Sequence, residues 1–198
     1  MRNTADAPVY EVGDTWTFAS YCDLAYLNRA FSSDPVLLKK AVDRNCNPST
    51  LQILNVGDYA HLKVRDTSNS GRDYSESNYE HWGFMGVLKF PDTKDSTQVP
   101  QSEKYPMKPG DVWQKSENIG SVSNITRVSR ASGWETIRVP AGEFRAIKLV
   151  HESQTVFAND GAAFGHRRVE WYSPDAKVAV KVELNGVTRF ELQSYHVK

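Results

Sequence analysis

The sequence has no long hydrophobic run and no net charge. Because no stretch of about 18 apolar residues occurs, no segment is predicted to cross a membrane as a helix. Lysine plus arginine and aspartate plus glutamate are equal at 24 each, and the densest basic groups are the pairs Lys39-Lys40 and Arg167-Arg168. A chain without a basic face lacks the electrostatic attraction that nucleic acid requires, so we expect no nucleic-acid partner.

An apolar segment is also absent from the first residues of the sequence. The first ten residues, MRNTADAPVY, lack the apolar core of a signal peptide. Two interpretations remain open. The protein is cytoplasmic, or it is periplasmic or associated with the cell envelope and its export signal is absent from this sequence. The small and polar residues 1–8 predict a disordered tail.

Cysteine is scarce, with Cys22 and Cys46 as the two examples. They form no C-x-x-C motif and have no histidine nearby, so we predict no zinc site. A disulfide and two buried thiols both fit the sequence. We favour the disulfide, which is typical of an oxidising compartment and would stabilise the fold by about 3 kcal/mol through loop closure.

Motifs of known catalytic sites do not occur. No two of the 5 histidines are four residues apart, no serine stands in a G-x-S-x-G motif, and no phosphate or calcium loop is present. His151-Glu152, or His166 with Glu170, could form half of an acid–base pair. On a strand, however, His166 and Glu170 lie on the same face, and such an arrangement is more often an exposed polar stripe. We therefore predict no enzyme, no cofactor and no metal, and we rank a hydrolase with an unrecognised site lowest.

Alternation of apolar and polar residues dominates the chain and predicts strands. The predicted strands are Thr15–Tyr21, Tyr59–Arg65, Phe84–Phe90, Trp134–Val139, Phe144–His151, Val169–Tyr172, Val178–Leu184 and Val187–Tyr195. Strands this frequent predict a mainly β fold, a single antiparallel curved sheet or half-barrel.

One segment, SSDPVLLKKAVDRN, has helical periodicity. Asp34 is a favourable N-cap, Pro35 suits the first helical position, and Leu37 and Leu38 begin an apolar stripe. Because the segment lies between the two cysteines, residues 23–45 are predicted to form a short helical insert packed on the sheet.

The segment VAVKVELNGVTRFEL (178–192) allows two hairpin registers. A two-residue Asn185-Gly186 turn would place Val182 opposite Arg189. A three-residue loop with a bulge would place Val180 opposite Phe190. Because the first register pairs apolar with charged side chains, we predict the three-residue loop.

A weak repeat suggests that the sheet has two related halves. VYEVGDTWTF (9–18) and YPMKPGDVWQKS (105–116) share a tyrosine followed by Gly-Asp-x-Trp. We expect a turn that ends in Gly-Asp and leads into a strand with a large inward aromatic residue. The prediction is one domain over residues 9–198, with halves that start near residues 9 and 105.

Four segments follow one another in a familiar pattern: YPMKPGDVW (105–113), GWETIRVPAGEFRAIKLV (133–150), VEWYSPDAKVAVKVE (169–183) and FELQSY (190–195). The pattern resembles that of the TapB-like family of uncharacterised bacterial cell-envelope domains. The resemblance covers the second half of the chain; the first half matches through VGDTW (12–16), and the cysteine-bracketed insert departs from the pattern. It implies an exported or lipid-anchored protein, with a sheet similar to the half-barrel of LolA- and LppX-type lipoprotein carriers.

Large apolar side chains either fill the core of such a sheet or line a ligand site. The candidates for the ligand site are Trp16, Leu37, Leu38, Trp113, Trp134, Phe144 and Trp171. The leading hypothesis is a non-enzymatic envelope protein that binds a hydrophobic small molecule or lipid in the concave face. The alternative is an interaction or assembly module whose partner is another envelope protein.

Overall fold

A computed structural model describes residues 3–22, 24, 27–28, 33–46, 48–56, 63–66, 73–75, 105–119, 123–157 and 161–198. The predicted strand Phe84–Phe90 and residues 59–62 of the strand predicted at Tyr59–Arg65 lie outside this part of the chain.

The described residues form one antiparallel sheet, as the alternating sequence predicted. Its strands are β1 (Thr15–Ser20), β2 (Ser49–Asn55), β3 (Lys63–Asp66), β4 (Asp73–Ser75), β5 (Val112–Ile119), β6 (Ser123–Val139), β7 (Gly142–Phe157), β8 (Ala163–Ser173), β9 (Val178–Leu184) and β10 (Val187–His196). The spatial order is β4-β3-β2-β1-β10-β9-β8-β7-β6-β5, and no pairing joins the two end strands within the described ranges. The mainly β prediction is confirmed, and the curved sheet is open. Two meanders, β1–β4 and β5–β10, meet where β1 pairs with β10.

Strands β6 and β7 form a hairpin much longer than predicted. They span 17 and 16 residues and pair from Ser123↔Phe157 to Val139↔Gly142 around a turn at Pro140-Ala141. The tip of this hairpin reaches across the sheet, because the Ala141 amide donates to the Leu192 carbonyl of β10 at 2.9 Å. The predicted strands were too short because the residues beyond His151 alternate between buried polar and exposed polar side chains. Apolar periodicity cannot detect that pattern.

The helix α1 (Pro35–Cys46) begins where the sequence predicted. The Asp34 carboxylate accepts hydrogen bonds from the amides of Val36 and Leu37, at 3.0 and 2.9 Å, as an N-cap does. The predicted disulfide is confirmed, since Cys46 at the end of α1 is bonded to Cys22, which follows β1.

The β9–β10 hairpin corrects the predicted loop. Asn185 and Gly186 form a two-residue turn, both with positive φ, between the paired residues Leu184 and Val187. The three-residue loop was therefore wrong. A bulge in β10 between Thr188 and Phe190 then shifts the register, so that Phe190 lies opposite Val182. The match of apolar faces is restored within the strand rather than in the turn.

The two Gly-Asp-x-Trp segments have the same turn geometry. In each, the aspartate carboxylate accepts a 2.9 Å hydrogen bond from the amide three residues earlier: Glu11 to Asp14, and Lys108 to Asp111. The glycine before each aspartate has a φ near +90°, which is 96° at Gly13 and 91° at Gly110. A side chain at either position would be strained in this conformation.

Each turn is also hydrogen-bonded to the second strand of its own meander. The Gly13 amide donates to the Ile53 carbonyl of β2 at 2.9 Å, and the Gly110 amide donates to the Ala131 carbonyl of β6 at 2.8 Å. The same short sequence thus produces the same set of backbone bonds twice.

Buried apolar side chains form two clusters. The central cluster lies at the middle of the sheet and includes Trp16, Phe18, Val180 and Leu192. The edge cluster consists of Ala5, Met107, Ala131, Ile147, Leu149 and Tyr172. Ala5 and Met107 pair with each other through reciprocal backbone hydrogen bonds of 2.7 and 2.8 Å, so the N-terminal segment covers the edge cluster.

Candidate functional site

Three of the residues predicted to line a ligand site are buried in the central cluster. Trp16, Phe144 and Trp171 all belong to it. The Trp16 indole N–H donates to the Ala176 carbonyl at 2.7 Å, and the ring meets Tyr10 edge-on with centroids 5.7 Å apart. These aromatic rings pack against neighbouring side chains and tie segments of the sheet together.

Trp171 is enclosed by charged side chains. The ammonium groups of Lys148 and Lys181 each lie 5.3 Å from its ring centroid, and its indole N–H donates to a Glu135 carboxylate oxygen at 2.8 Å. That hydrogen bond, with the help of Lys148, holds the pKa of Glu135 below its ordinary value against the opposing effect of burial.

The remaining predicted lining residues lie elsewhere. Trp113 and Trp134 are half-buried and pack against the edge cluster, and the Arg145 guanidinium lies 4.4 Å from the Trp134 ring centroid. On α1, Leu37 is 46% exposed and Leu38 is half-buried. The predicted set therefore does not meet at one place.

A different group of side chains does meet, on one face of β6, β7 and β8. Ser129, His151 and Arg168 are register partners across these strands. The neighbouring row on the same face consists of Arg127, Ser153 and His166. Together with Glu170 these side chains are called the polar strip: Arg127, Ser129, His151, Ser153, His166, Arg168 and Glu170.

At its inner end the polar strip contains a serine, a histidine and a glutamate. Ser129 Oγ lies 2.8 Å from His151 Nδ1, and His151 Nε2 lies 3.7 Å from Glu170 Oε1. Glu170 also forms an ion pair with Arg168. The serine, the histidine and the glutamate are almost completely buried. These residue types occur in hydrolase triads, but here the serine hydroxyl is inaccessible and the carboxylate is shared with an arginine.

The sequence did contain a signal for this strip. Along β7 the buried residues continue at every second position from Ile147 and Leu149 to His151, Ser153 and Thr155. A strand whose inward positions change from apolar to polar is expected to carry a buried polar network. The predicted exposed stripe of His166 and Glu170 is wrong for Glu170, which is buried and lies near His151 of β7.

The polar strip also contains two arginines, one in each of its rows. Arg127 Nε donates to Ser153 Oγ at 3.3 Å, and the Nη2 of Arg168 is buried with no hydrogen-bond partner among the described residues. The pKa of His166 is lowered, first by burial and then by repulsion from Arg127 and Arg168. The histidine thus experiences the positive potential of the two arginines.

Beyond His166 the same face ends in two aromatic rings, of which Phe157 is half-buried. Phe157 and Phe164 stack with centroids 5.8 Å apart, and Phe164 stacks on His166 with centroids 6.4 Å apart. Phe164 is 50% exposed. Phe157 and Phe164 are called the aromatic rim. An exposed aromatic ring beside buried polar groups is a common feature of binding surfaces.

The described residues contain neither a cluster of metal ligands nor a membrane-spanning helix. Within them, no group of three or more histidine, cysteine, aspartate or glutamate side chains is placed to hold a metal ion. Their helices also include none with the length and apolar character needed to cross a membrane.

Comparison with known proteins yields distant structural similarities and no family. No known family matches the chain, and no curated protein matches it. Among solved structures, it is similar to a candidate lipoprotein from Parabacteroides distasonis, with 14% identity, a TM-score of 0.48, and coverage of 98% of this chain and 100% of that one. It is also similar to a candidate exported protein with a YmcC-like fold from Bacteroides fragilis, with 12% identity, a TM-score of 0.43, and coverage of 97% and 99%. Likeness at this level assigns neither a family nor an activity, and the resemblance to TapB-like domains stays a prediction.

Proposed function

We propose that this protein is a non-enzymatic protein of the bacterial envelope that binds a hydrophobic ligand or lipid on the face formed by β5–β8. The observation that carries the proposal is the aromatic rim, where Phe164 stays half-exposed at the end of a buried polar strip. Isolated exposed apolar residues are ordinary, but two stacked rings that continue onto His166 form a surface suited to an apolar group. Trp113, which pairs with Ser129, extends this surface across β5.

The Cys22–Cys46 disulfide supports placement outside the cytoplasm. Structural disulfides persist in oxidising compartments such as the periplasm and the cell surface, and cytosolic reductants keep most thiols reduced. The disulfide connects the end of β1 to the end of α1 and closes the segment between them. Its position is that of a structural brace rather than of a redox site.

The absence of an enzymatic role is proposed from the geometry of Ser129, His151 and Glu170. A nucleophilic serine must reach a substrate carbonyl, and Ser129 is buried. In a triad the histidine is the general base and the carboxylate orients it, yet Glu170 lies 3.7 Å from His151 Nε2 and is paired with Arg168. The three side chains fit a buried hydrogen-bond network that rigidifies the sheet.

Native mass spectrometry of protein purified without detergent tests the proposal. We expect an adduct of lipid size that is present in the native spectrum and lost after denaturation. The Phe164→Ser variant should lose most of the adduct, and Val187→Ser, which changes an exposed apolar residue on β10, should retain it. A native mass equal to that of the bare chain, before and after incubation with lipid extract, would contradict ligand binding.

The alternative function, a protein-interaction module, is favoured by one observation. Strand β5 lies at the end of the sheet, and its second edge has no strand partner in the described ranges. An edge strand of this length can accept a strand from another chain. The same native spectra test this function, because a partner of this kind would appear as a polypeptide adduct rather than a lipid adduct.

A further inference from the structure

We propose that the ligand is an anionic amphiphile whose oxyanion head lies against Arg127 and Arg168 while its hydrocarbon chain lies on the aromatic rim. This inference rests on the proposed function and adds the chemical class of the ligand. It identifies the head group by charge and the tail by the exposed rings beside it.

The first argument is the charge of the polar strip. The strip brings Arg127 and Arg168 to neighbouring rows of one face. Glu170 is the single carboxylate in the strip as defined, and it is paired with Arg168. The strip therefore has an excess of positive charge, which an oxyanion would neutralise.

On the opposite face of the same strands, cations are paired with carboxylates. There Arg130 forms an ion pair with Glu152, and Lys148 forms one with Glu135 at 3.2 Å. Arg127, three residues from Arg130 on the same strand, donates instead to the neutral hydroxyl of Ser153. Cations of one face have carboxylate partners, whereas Arg127 faces a polar but uncharged neighbour.

The second argument is a buried donor within the strip. The Nη2 atom of Arg168 is buried and has no hydrogen-bond partner among the described residues. A buried guanidinium nitrogen without an acceptor costs free energy, and such costs are commonly retained where a ligand supplies the acceptor. An oxyanion beside Arg127 and Arg168 would supply it and could accept from both guanidinium groups.

The third argument is the position of the apolar surface. The stack from His166 through Phe164 to Phe157 starts at the basic row and runs outward along the β7–β8 hairpin. A head group at Arg127 thus has aromatic rings beside it on one side and the buried Ser129 and His151 on the other. A hydrocarbon chain attached to the head would lie on the rings, because the inner side is already filled.

Calorimetric titration of the full chain with dodecanoate, dodecyltrimethylammonium and acetate tests the inference, with the two surfactants kept below their micellar concentrations. We expect dodecanoate to bind at least about tenfold more tightly than the cation of equal chain length, and acetate to bind too weakly to measure. Arg127→Gln should weaken dodecanoate binding about tenfold, because it removes one charge-assisted contact. Arg127→Lys should restore part of the loss, and the matched control Arg130→Gln on the opposite face should bind like the natural sequence.

The outcomes separate the two proposals. Equal binding of dodecanoate and dodecyltrimethylammonium would overturn the anionic head while leaving a hydrophobic ligand in place. Acetate binding as tight as that of dodecanoate would assign the strip to a free oxyanion and overturn the amphiphile. Binding by none of the three probes would contradict both proposals. Because Phe164 is exposed, Phe164→Ser should fold normally. Unchanged dodecanoate binding by this variant would overturn the proposed position of the hydrocarbon chain on the aromatic rim.

Discussion

The two Gly-Asp-x-Trp turns have the same backbone hydrogen bonds, but they lead into regions that use polar side chains differently. Around the first turn, Asp14 is fully buried, accepts a 2.9 Å hydrogen bond from the Lys177 ammonium and a 3.0 Å bond from the Lys198 amide, and so joins three segments. Around the second turn, Asp111 is half-buried and Trp113 borders the polar strip. The local sequence determines the turn, and the position of the turn in the sheet determines whether its residues stabilise the core or face a binding surface.

The largest expected difference between the two regions concerns their tryptophans. Trp16→Ala should lower the free energy of unfolding by about 4 kcal/mol, because it leaves a cavity in the central cluster and removes the hydrogen bond to Ala176. Trp113→Ala should cost less than half as much, because Trp113 is half-buried at the sheet edge. Urea unfolding followed by circular dichroism measures both. Equal losses would show that the two regions contribute alike to stability.

The aspartate of the first turn should also contribute more to stability than the aspartate of the second turn. Asp14→Ala removes the partner of a largely buried ammonium group, that of Lys177, and should cost about 3 kcal/mol. Asp111→Ala removes the hydrogen bond from the Lys108 amide and should cost about 1 kcal/mol. The ratio of the two losses, again from urea unfolding, tests whether the surroundings rather than the turn determine the energetic role. A larger loss of stability from Asp111→Ala than from Asp14→Ala would contradict the stronger stabilising role of the first turn.

Much of this fold follows from local chemistry that the sequence displays. Asp34 caps α1 because its carboxylate reaches the first helical amides, and β9 buries the apolar side chains at alternate positions Val178, Val180 and Val182. The disulfide could be favoured because two cysteines bracket one insert. Each of these depends on residues close in sequence.

The candidate site could not be predicted in the same way. Ser129 and Glu170 are 41 residues apart in the numbering and meet through the register of three long strands. That register depends on a bulge between Ala131 and Gly133, which periodicity does not reveal. The aromatic residues singled out from the sequence were identified by size, and size alone does not tell a buried ring such as Trp16 from an exposed one such as Phe164.

Within the polar strip we expect a moderate effect on stability and none on catalysis. Ser129→Ala removes the hydroxyl 2.8 Å from His151 Nδ1 and should cost about 1–2 kcal/mol, because a buried histidine nitrogen loses a hydrogen-bond partner. Hydrolysis of short-chain nitrophenyl esters should be indistinguishable from background in both proteins. An ester hydrolysis rate that the natural protein shows and Ser129→Ala lacks would contradict the non-enzymatic proposal.

The smallest expected effect is a pH dependence from His166. Because burial, Arg127 and Arg168 lower the pKa of His166, the unfolded chain binds this proton at a higher pH than the folded chain does. Stability is therefore fully present above the ordinary pKa of 6.5 and is lost as the pH falls through the lower folded value. Between about pH 7.5 and pH 5, His166→Gln should lose less stability than the natural protein. The urea midpoints at each pH measure this difference. A steeper loss of stability in the variant would contradict a destabilising effect of protonating His166.

The central claim is that β5–β8 carry the binding surface while the central cluster only stabilises the fold. Amide chemical shifts of isotope-labelled protein, recorded during titration with dodecanoate, test it most directly. We predict that the largest shifts occur at Arg127, Phe164 and His166 and that the amides around Trp16 and Leu192 hardly move. Shifts concentrated at the central cluster, or an unchanged spectrum at saturating dodecanoate, would contradict the claim.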